Sequence, residues 1–108
     1  ATALAGFSQG AIMALESTQH APPLAARVVA MAGRFAQPPR LAPDGTALHF
    51  IHGEQDPVIA PAFSVAAAER LRALGATPRV DLLPGLGHGI DGRVLTLLSA
   101  ALDPDLEA

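Results

Sequence analysis

Ala3-Leu4-Ala5-Gly6-Phe7-Ser8-Gln9-Gly10, close to the start of the chain, is an apolar run that closes on a serine held between two glycines. This is the pattern of a nucleophile elbow, in which a buried strand turns sharply into a helix and lifts a serine hydroxyl above a parallel sheet. Gly6 and Gly10 remove side chains where strand and helix must pack closely, and the serine itself has to take a sparsely populated backbone conformation. Upstream, residues 1–6 read as the end of a buried strand. Downstream, a helix is expected from Gln9 to His20, deeply packed because Ala11, Ile12, Met13, Ala14 and Leu15 leave few polar positions.

The pattern continues outward from the elbow. Ala21-Pro22-Pro23 stops the helix, and Arg27-Val28-Val29-Ala30-Met31 is a short apolar run closed by Gly33. Residues 34–45, with Pro38, Pro39 and Pro43, read as a loop. Ala47-Leu48-His49-Phe50-Ile51-His52 is a third strand closed by Gly53. Pro61 opens a helix to Leu74, with Phe63, Ala67, Leu71 and Leu74 facing the core and Gly75 as its stop. Arg79-Val80-Asp81-Leu82-Leu83 is a fourth strand, and Asp91 caps a last helix from Gly92 to Leu102, where Val94, Leu95, Leu98 and Leu102 form one stripe and Pro104 ends it. Strands alternating with helices imply an α/β fold, a parallel sheet of about four strands with flanking helices.

Composition excludes several classes of function. The chain of 108 residues is one domain at most, and with half its residues hydrophobic and 16% charged it is not disordered. Net charge is −3 and the arginines are scattered from Arg27 to Arg93, so neither nucleic acid nor an anionic membrane is an expected partner. The absence of cysteine removes disulfides, thiolate catalysis and thiolate metal sites. His20, His49, His52 and His88 lack the helical pairing that suggests zinc, so no metal is expected. No stretch approaches the roughly 20 apolar residues of a membrane span, and no signal peptide is visible. A cytoplasmic location is the default expectation.

In open parallel sheets functional groups gather beyond the carboxyl ends of the strands. Ser8 follows the first strand, His52-Gly53-Glu54-Gln55-Asp56-Pro57 the third, and Gly85-Leu86-Gly87-His88-Gly89 the fourth. Serine, carboxylate and histidine thus occur in the chain order of α/β-hydrolases. A serine hydroxyl needs a base to take its proton as it attacks an acyl carbon, the role expected of His88. Asp56 is expected to fix the imidazole tautomer and stabilise the imidazolium, and the backbone N–H of Gln9, at a helix N-terminus, to contribute to an oxyanion hole.

Each residue also has a plainer reading. GxSxG alone is common by chance, Asp56 before Pro57 suits an Asx turn, and a histidine among glycines suits a loop. Their joint occurrence, each after its own strand, is what chance explains poorly. Glu54 is the fallback carboxylate. Asp81 is expected on a solvated strand face, Asp91 at a helix cap, His52 in a structural part, His49 on a strand and His20 at a helix end.

Gly6-Phe7-Ser8-Gln9-Gly10-Ala11, His52-Gly53-Glu54-Gln55-Asp56-Pro57-Val58 and Gly87-His88-Gly89 together resemble the phospholipase/carboxylesterase family of α/β-hydrolases, which includes small bacterial esterases and acyl-protein thioesterases. Arg34-Phe35-Ala36 looks closer to the small-esterase branch. The resemblance implies hydrolysis of small-molecule carboxylic esters or thioesters through an acyl-enzyme, with no cofactor or metal, on a small sheet with little lid. Phe35 and Leu41, in the short segment after the second strand, are candidates for lining an acyl site and equally candidates for loop packing.

The chain departs from the family at its N-terminus. Family members carry several strands before the elbow, and a loop among them gives the second oxyanion N–H. Residues 1–108 are therefore expected to be a partial domain, from nucleophile elbow to last helix, forming the C-terminal half of an α/β-hydrolase fold. The strand carrying Ser8, interior in the family, would here present a bare edge. Two expectations of different class follow. One is a serine esterase; the other is a non-catalytic truncated or degenerate module that self-associates through that edge.

Overall fold

The computed structural model describes residues 2–20 and 24–102. The chain order is β1 (Ala3–Phe7), α1 (Gln9–Ser17), β2 (Arg27–Met31), β3 (Ala47–Gly53), α2 (Ala62–Ala73), β4 (Arg79–Leu83) and α3 (Gly92–Leu102). The four strands form one sheet in the order β1-β2-β3-β4, all pairs parallel. This is the α/β architecture implied by the alternating pattern.

Strand periodicity divides the core into two layers. Val28 and Ala30 of β2 and Leu48 and Phe50 of β3 face α1 and α2, where they meet Ala11, Leu15, Ala68 and Leu71. Val29 and Met31 of β2 and Ile51 of β3 face the other way and pack with Val94 and Ala101 of α3. Successive strand side chains point to opposite faces, so a continuous apolar run such as Val28 to Met31 requires cover on both. The helices supply it.

Register aligns the strand ends. Phe7 pairs with Met31 and Met31 with Ile51, while Gly53 pairs with Leu83. The ladder runs one residue further at each step: Ser8 N–H donates to Met31 O at 2.9 Å, Ala32 N–H to Ile51 O at 2.9 Å, and Glu54 N–H to Leu83 O at 3.0 Å. All the strand-to-loop exits therefore lie along one edge of the sheet.

Several expectations need correction. α1 ends at Ser17 rather than His20. The hydroxyls of Ser17 and Thr18 donate back to the carbonyls of Ala14 and Leu15, both at 2.6 Å, and compete with continuation of the helix. α1 is also not buried all round, since Met13 is 74% exposed. Phe63, expected in the core, is 48% exposed and lies beneath the Arg34 guanidinium, 5.1 Å from ring centroid to Cζ. Leu95 and Leu102 likewise lie outside the buried stripe of α3, which is anchored by Val94 and Ala101. Asp81 is half-buried rather than solvated, with Oδ2 2.6 Å from His49 Nε2 and 3.0 Å from Arg79 Nε. Pro22, Pro23 and Pro104 lie outside the described residues.

Candidate active site

β1 delivers Ser8 to α1 through a strained turn. Ser8 has φ 57° and ψ −114°, positive-φ territory that costs a non-glycine residue about 1–3 kcal/mol. The turn closes tightly because Gly6 has no side chain: a Cβ there would lie 2.3 Å from the carbonyl oxygen of Gly10. Ser8 occupies the N-cap position of α1 without using its hydroxyl as a cap. That hydroxyl is directed to His88 instead.

His88 arrives on the loop after β4, which folds over the end of β3. Gln55 N–H donates to Leu86 O at 2.9 Å, stitching the loops after β3 and β4 together. Gly53 makes the crossing feasible, since a Cβ there would meet Leu86 O at 2.3 Å and Gly87 O at 2.5 Å. The Phe7 ring, whose centroid lies 5.0 Å from that of the His88 imidazole, packs against it.

The hydrogen bonds determine the His88 tautomer. Nδ1 lies 2.8 Å from Asp56 Oδ2, and Nε2 lies 2.9 Å from Ser8 Oγ. An ionised carboxylate only accepts, so Nδ1 carries the proton and the Nε2 lone pair faces the serine hydroxyl. Asp56 is held in turn by the N–H groups of Val58 (2.8 Å) and Ile59 (2.9 Å), both donating to Oδ1. The Asp56 side chain is fully buried, and burial alone would raise its pKa. The hydrogen bond from His88, those from Ile59 and Val58, and the attraction of the His88 ring when protonated outweigh that, so the carboxyl titrates below the ordinary aspartate value.

The other candidates fall elsewhere. Glu54 is exposed, and Asp56 is the carboxylate that meets His88. Gln9 opens α1, where first-turn N–H groups have no intrahelical acceptor and project toward the end occupied by Ser8. Asp91 caps α3 through Oδ1, accepting from the N–H groups of Arg93 (2.9 Å) and Val94 (3.2 Å). Leu41 bonds through its backbone to the Gln19 side chain. Gln19 lies past the C-terminal end of α1, so these bonds tie the Leu41 loop to that end of the helix. Phe35 is buried against Phe50 and borders a cavity of about 140 Å³ between its loop and α2, shared with Arg34, Phe63 and Arg70. A larger cavity, about 360 Å³, borders Arg27, Ala47 and Arg79 at the starts of the strands, the edge opposite Ser8.

Sequence reading missed the packing of Phe7 on His88, and also Ser64, a buried hydroxyl 2.7 Å from His52 Nδ1. Adjacency to Ser8 was the available signal for Phe7; nothing in the sequence marks Ser64. Among the described residues no cluster of three or more His, Cys, Asp or Glu could hold a metal, and no helix is long and apolar enough to cross a membrane.

A profile of the phospholipase/carboxylesterase family matches residues 1–104. The chain belongs to that family. The chain is 53% identical over 93 residues to esterase YpfH of Escherichia coli (strain K12), covering 86% of this chain and 40% of that protein. The crystal structure of esterase PE8 superposes with a TM-score of 0.84 at 34% identity, over 94% of this chain and 48% of that one. SOBER1 of Arabidopsis thaliana, at 24% identity, shares the fold with a TM-score of 0.81 over 96% of this chain and 52% of that one. The chain thus spans about half or less of the length of these relatives.

Proposed function

We propose that the protein containing this chain is a serine hydrolase that cleaves small-molecule carboxylic esters, and thioesters by the same route, through an acyl-enzyme. The observation that carries this reading is the Ser8–His88–Asp56 hydrogen-bond series of 2.9 and 2.8 Å on a positive-φ serine. Family membership and likeness to proteins named esterases support it.

Ser8 Oγ attacks the acyl carbon while His88 Nε2 takes the hydroxyl proton. The resulting imidazolium is stabilised by Asp56, and the tetrahedral oxyanion receives the N–H of Gln9. Collapse of this intermediate breaks the bond to the alcohol or thiol, which leaves with the proton from His88. Water then repeats the sequence in reverse roles, its proton going to His88, and the acid departs with Ser8 restored. No cofactor or metal takes part in this scheme. The test is hydrolysis of p-nitrophenyl esters of graded acyl length by the whole protein, with loss of turnover in Ser8→Ala. Unchanged turnover in that variant would sink the assignment.

A second reading rests on the edge position of β1, which among the described residues pairs with β2 alone and leaves Ala3 and Ala5 exposed, with Met13 of α1 nearby in sequence and 74% exposed. In this reading the 108-residue stretch by itself is inert and self-associates through that edge. Size-exclusion chromatography of the stretch distinguishes the two: a monodisperse monomer that turns over ester contradicts the second. A cytoplasmic location belongs to the proposal as well and is tested by fractionation.

A further inference from the structure

The carboxylate that meets His88 is approached by a second imidazole. His52, the penultimate residue of β3, is 1% exposed and places Nε2 2.7 Å from the Ile59 carbonyl oxygen and 3.3 Å from Asp56 Oδ2. Its other nitrogen, Nδ1, lies 2.7 Å from Ser64 Oγ in the first turn of α2. A carbonyl oxygen only accepts, so Nε2 carries a proton; in the neutral ring Nδ1 therefore accepts from the Ser64 hydroxyl. The Ile59 carbonyl thus selects the tautomer, the Ser64 hydroxyl complements it as donor to Nδ1, and the Nε2–H given to Ile59 lies beside Asp56 Oδ2.

We propose that His52 is a positioning residue for Asp56, acting through the Nε2–H that it gives to Ile59 beside Oδ2, with its ring held from the other side by Ser64. Ile59 closes the device: its N–H donates to Asp56 Oδ1, and its carbonyl accepts from the same His52 N–H that lies beside Oδ2. Oδ1 is occupied by two backbone donors and Oδ2 sits between two imidazoles, His88 and His52. Rotating the carboxylate would break contacts at both oxygens, so its orientation toward His88 Nδ1 is fixed from behind. Ser64 and His52 repeat the residue types of Ser8 and His88 around the shared Asp56, but Ser64 is 1% exposed and out of reach of substrate. Their part is orientation.

The inference rests on the serine hydrolase reading, and its test separates the two. Two variants of the whole protein divide the ring's functions. In His52→Asn the amide ends near the Nδ1 position, so the contact with Ser64 persists and the donor to Ile59 beside Asp56 is lost. In His52→Gln a donor is kept near the Nε2 position. The expected result is a fall in kcat of about 10- to 100-fold for His52→Asn, the scale of a misplaced catalytic group, with KM within about twofold. His52→Gln should recover most of that loss. Equal losses in the two folded variants, or no loss in either, would overturn the proposal. An NMR readout does not depend on turnover. The low-field His88 Nδ1–H resonance should move or broaden in His52→Asn and return in His52→Gln; an unchanged resonance in His52→Asn overturns the proposal. Should the Asn variant not fold, Ser64→Ala is read by the same resonance, where a displaced signal supports positioning through the Ser64-held ring and an unmoved one contradicts it. If the unaltered protein hydrolyses no ester, the hydrolase reading fails while the resonance still decides the role of His52.

Discussion

Ser8 Oγ and His88 Nε2 stand 2.9 Å apart although 80 residues of chain separate them. Neither residue is brought there by local sequence. The parallel register aligns the ends of all the strands, and the loop after β4 crosses β3 to reach the elbow at the end of β1. The contact is thus a property of the whole sheet, and variants can separate its structural component from its chemical one.

The elbow stores strain that glycine would release. Ser8→Gly is expected to stabilise the protein by about 1 kcal/mol, within the cost of holding a non-glycine residue at such a conformation. It should also abolish reaction at this position. Ser8→Ala removes the hydroxyl but keeps the strain and should leave stability nearly unchanged. Urea unfolding of both variants measures the difference.

Asp56→Asn should lower kcat by about four orders of magnitude, the scale set by loss of the orienting acid in serine hydrolases. The Asn carbonyl can still accept from Val58 and Ile59, but its amide then confronts the N–H of His88 and drives the ring to the wrong tautomer. Ester turnover with circular dichroism as a folding control tests this.

Gly53→Ala would place a methyl 2.3 Å from Leu86 O, inside backbone that has no flexible end to move. The expected cost is about 1–3 kcal/mol of stability, as for overpacking. Turnover should fall as well, because the displaced segment leads into His88. Thermal unfolding and kcat should therefore decline together, in contrast to Asp56→Asn.

Acid should destabilise the fold through identified carboxylates. At Asp56 and Glu16 burial favours the neutral acid, but hydrogen bonds from His88 and from Arg40, respectively, prevail and lower the pKa; at Asp91 the Arg93 hydrogen bond does so directly. A pKa lower in the folded than in the unfolded state means that the unfolded chain binds more protons, so stability rises with pH in that window. The contribution is complete above the ordinary values of 3.8 for Asp and 4.5 for Glu. It is lost as pH falls through the depressed folded values. Denaturant midpoints should be flat near neutrality and drop below about pH 4.5.

Strands and helices bounded by glycine or proline were legible in the sequence. Arg27–Met31, Arg79–Leu83 and Gly92–Leu102 fall where apolar runs meet breakers or the Asp91 cap. Ser8, Asp56 and His88 were legible as candidates because each follows a strand, and parallel pairing puts those positions on one edge. Burial was less legible. Periodicity says which residues of a helix share a face but not which neighbour covers it, and so Phe63 and Leu95 share the spacing of core residues yet lie exposed. The back-bonding of Ser17 and Thr18 that ends α1 and the positive φ of Ala32 have no sequence signal comparable to a glycine. The Ser64–His52 pairing joins residues from separate elements, which a single sequence does not reveal.

A nucleophilic Ser8 activated by His88 leaves a covalent signature. Treating the whole protein with a fluorophosphonate and mapping the adduct by peptide mass spectrometry tests it most directly. One phosphonyl group is expected on Ser8, absent in Ser8→Ala and strongly slowed in His88→Ala. An adduct that persists in Ser8→Ala, or labelling that is unaffected by His88→Ala, would contradict it.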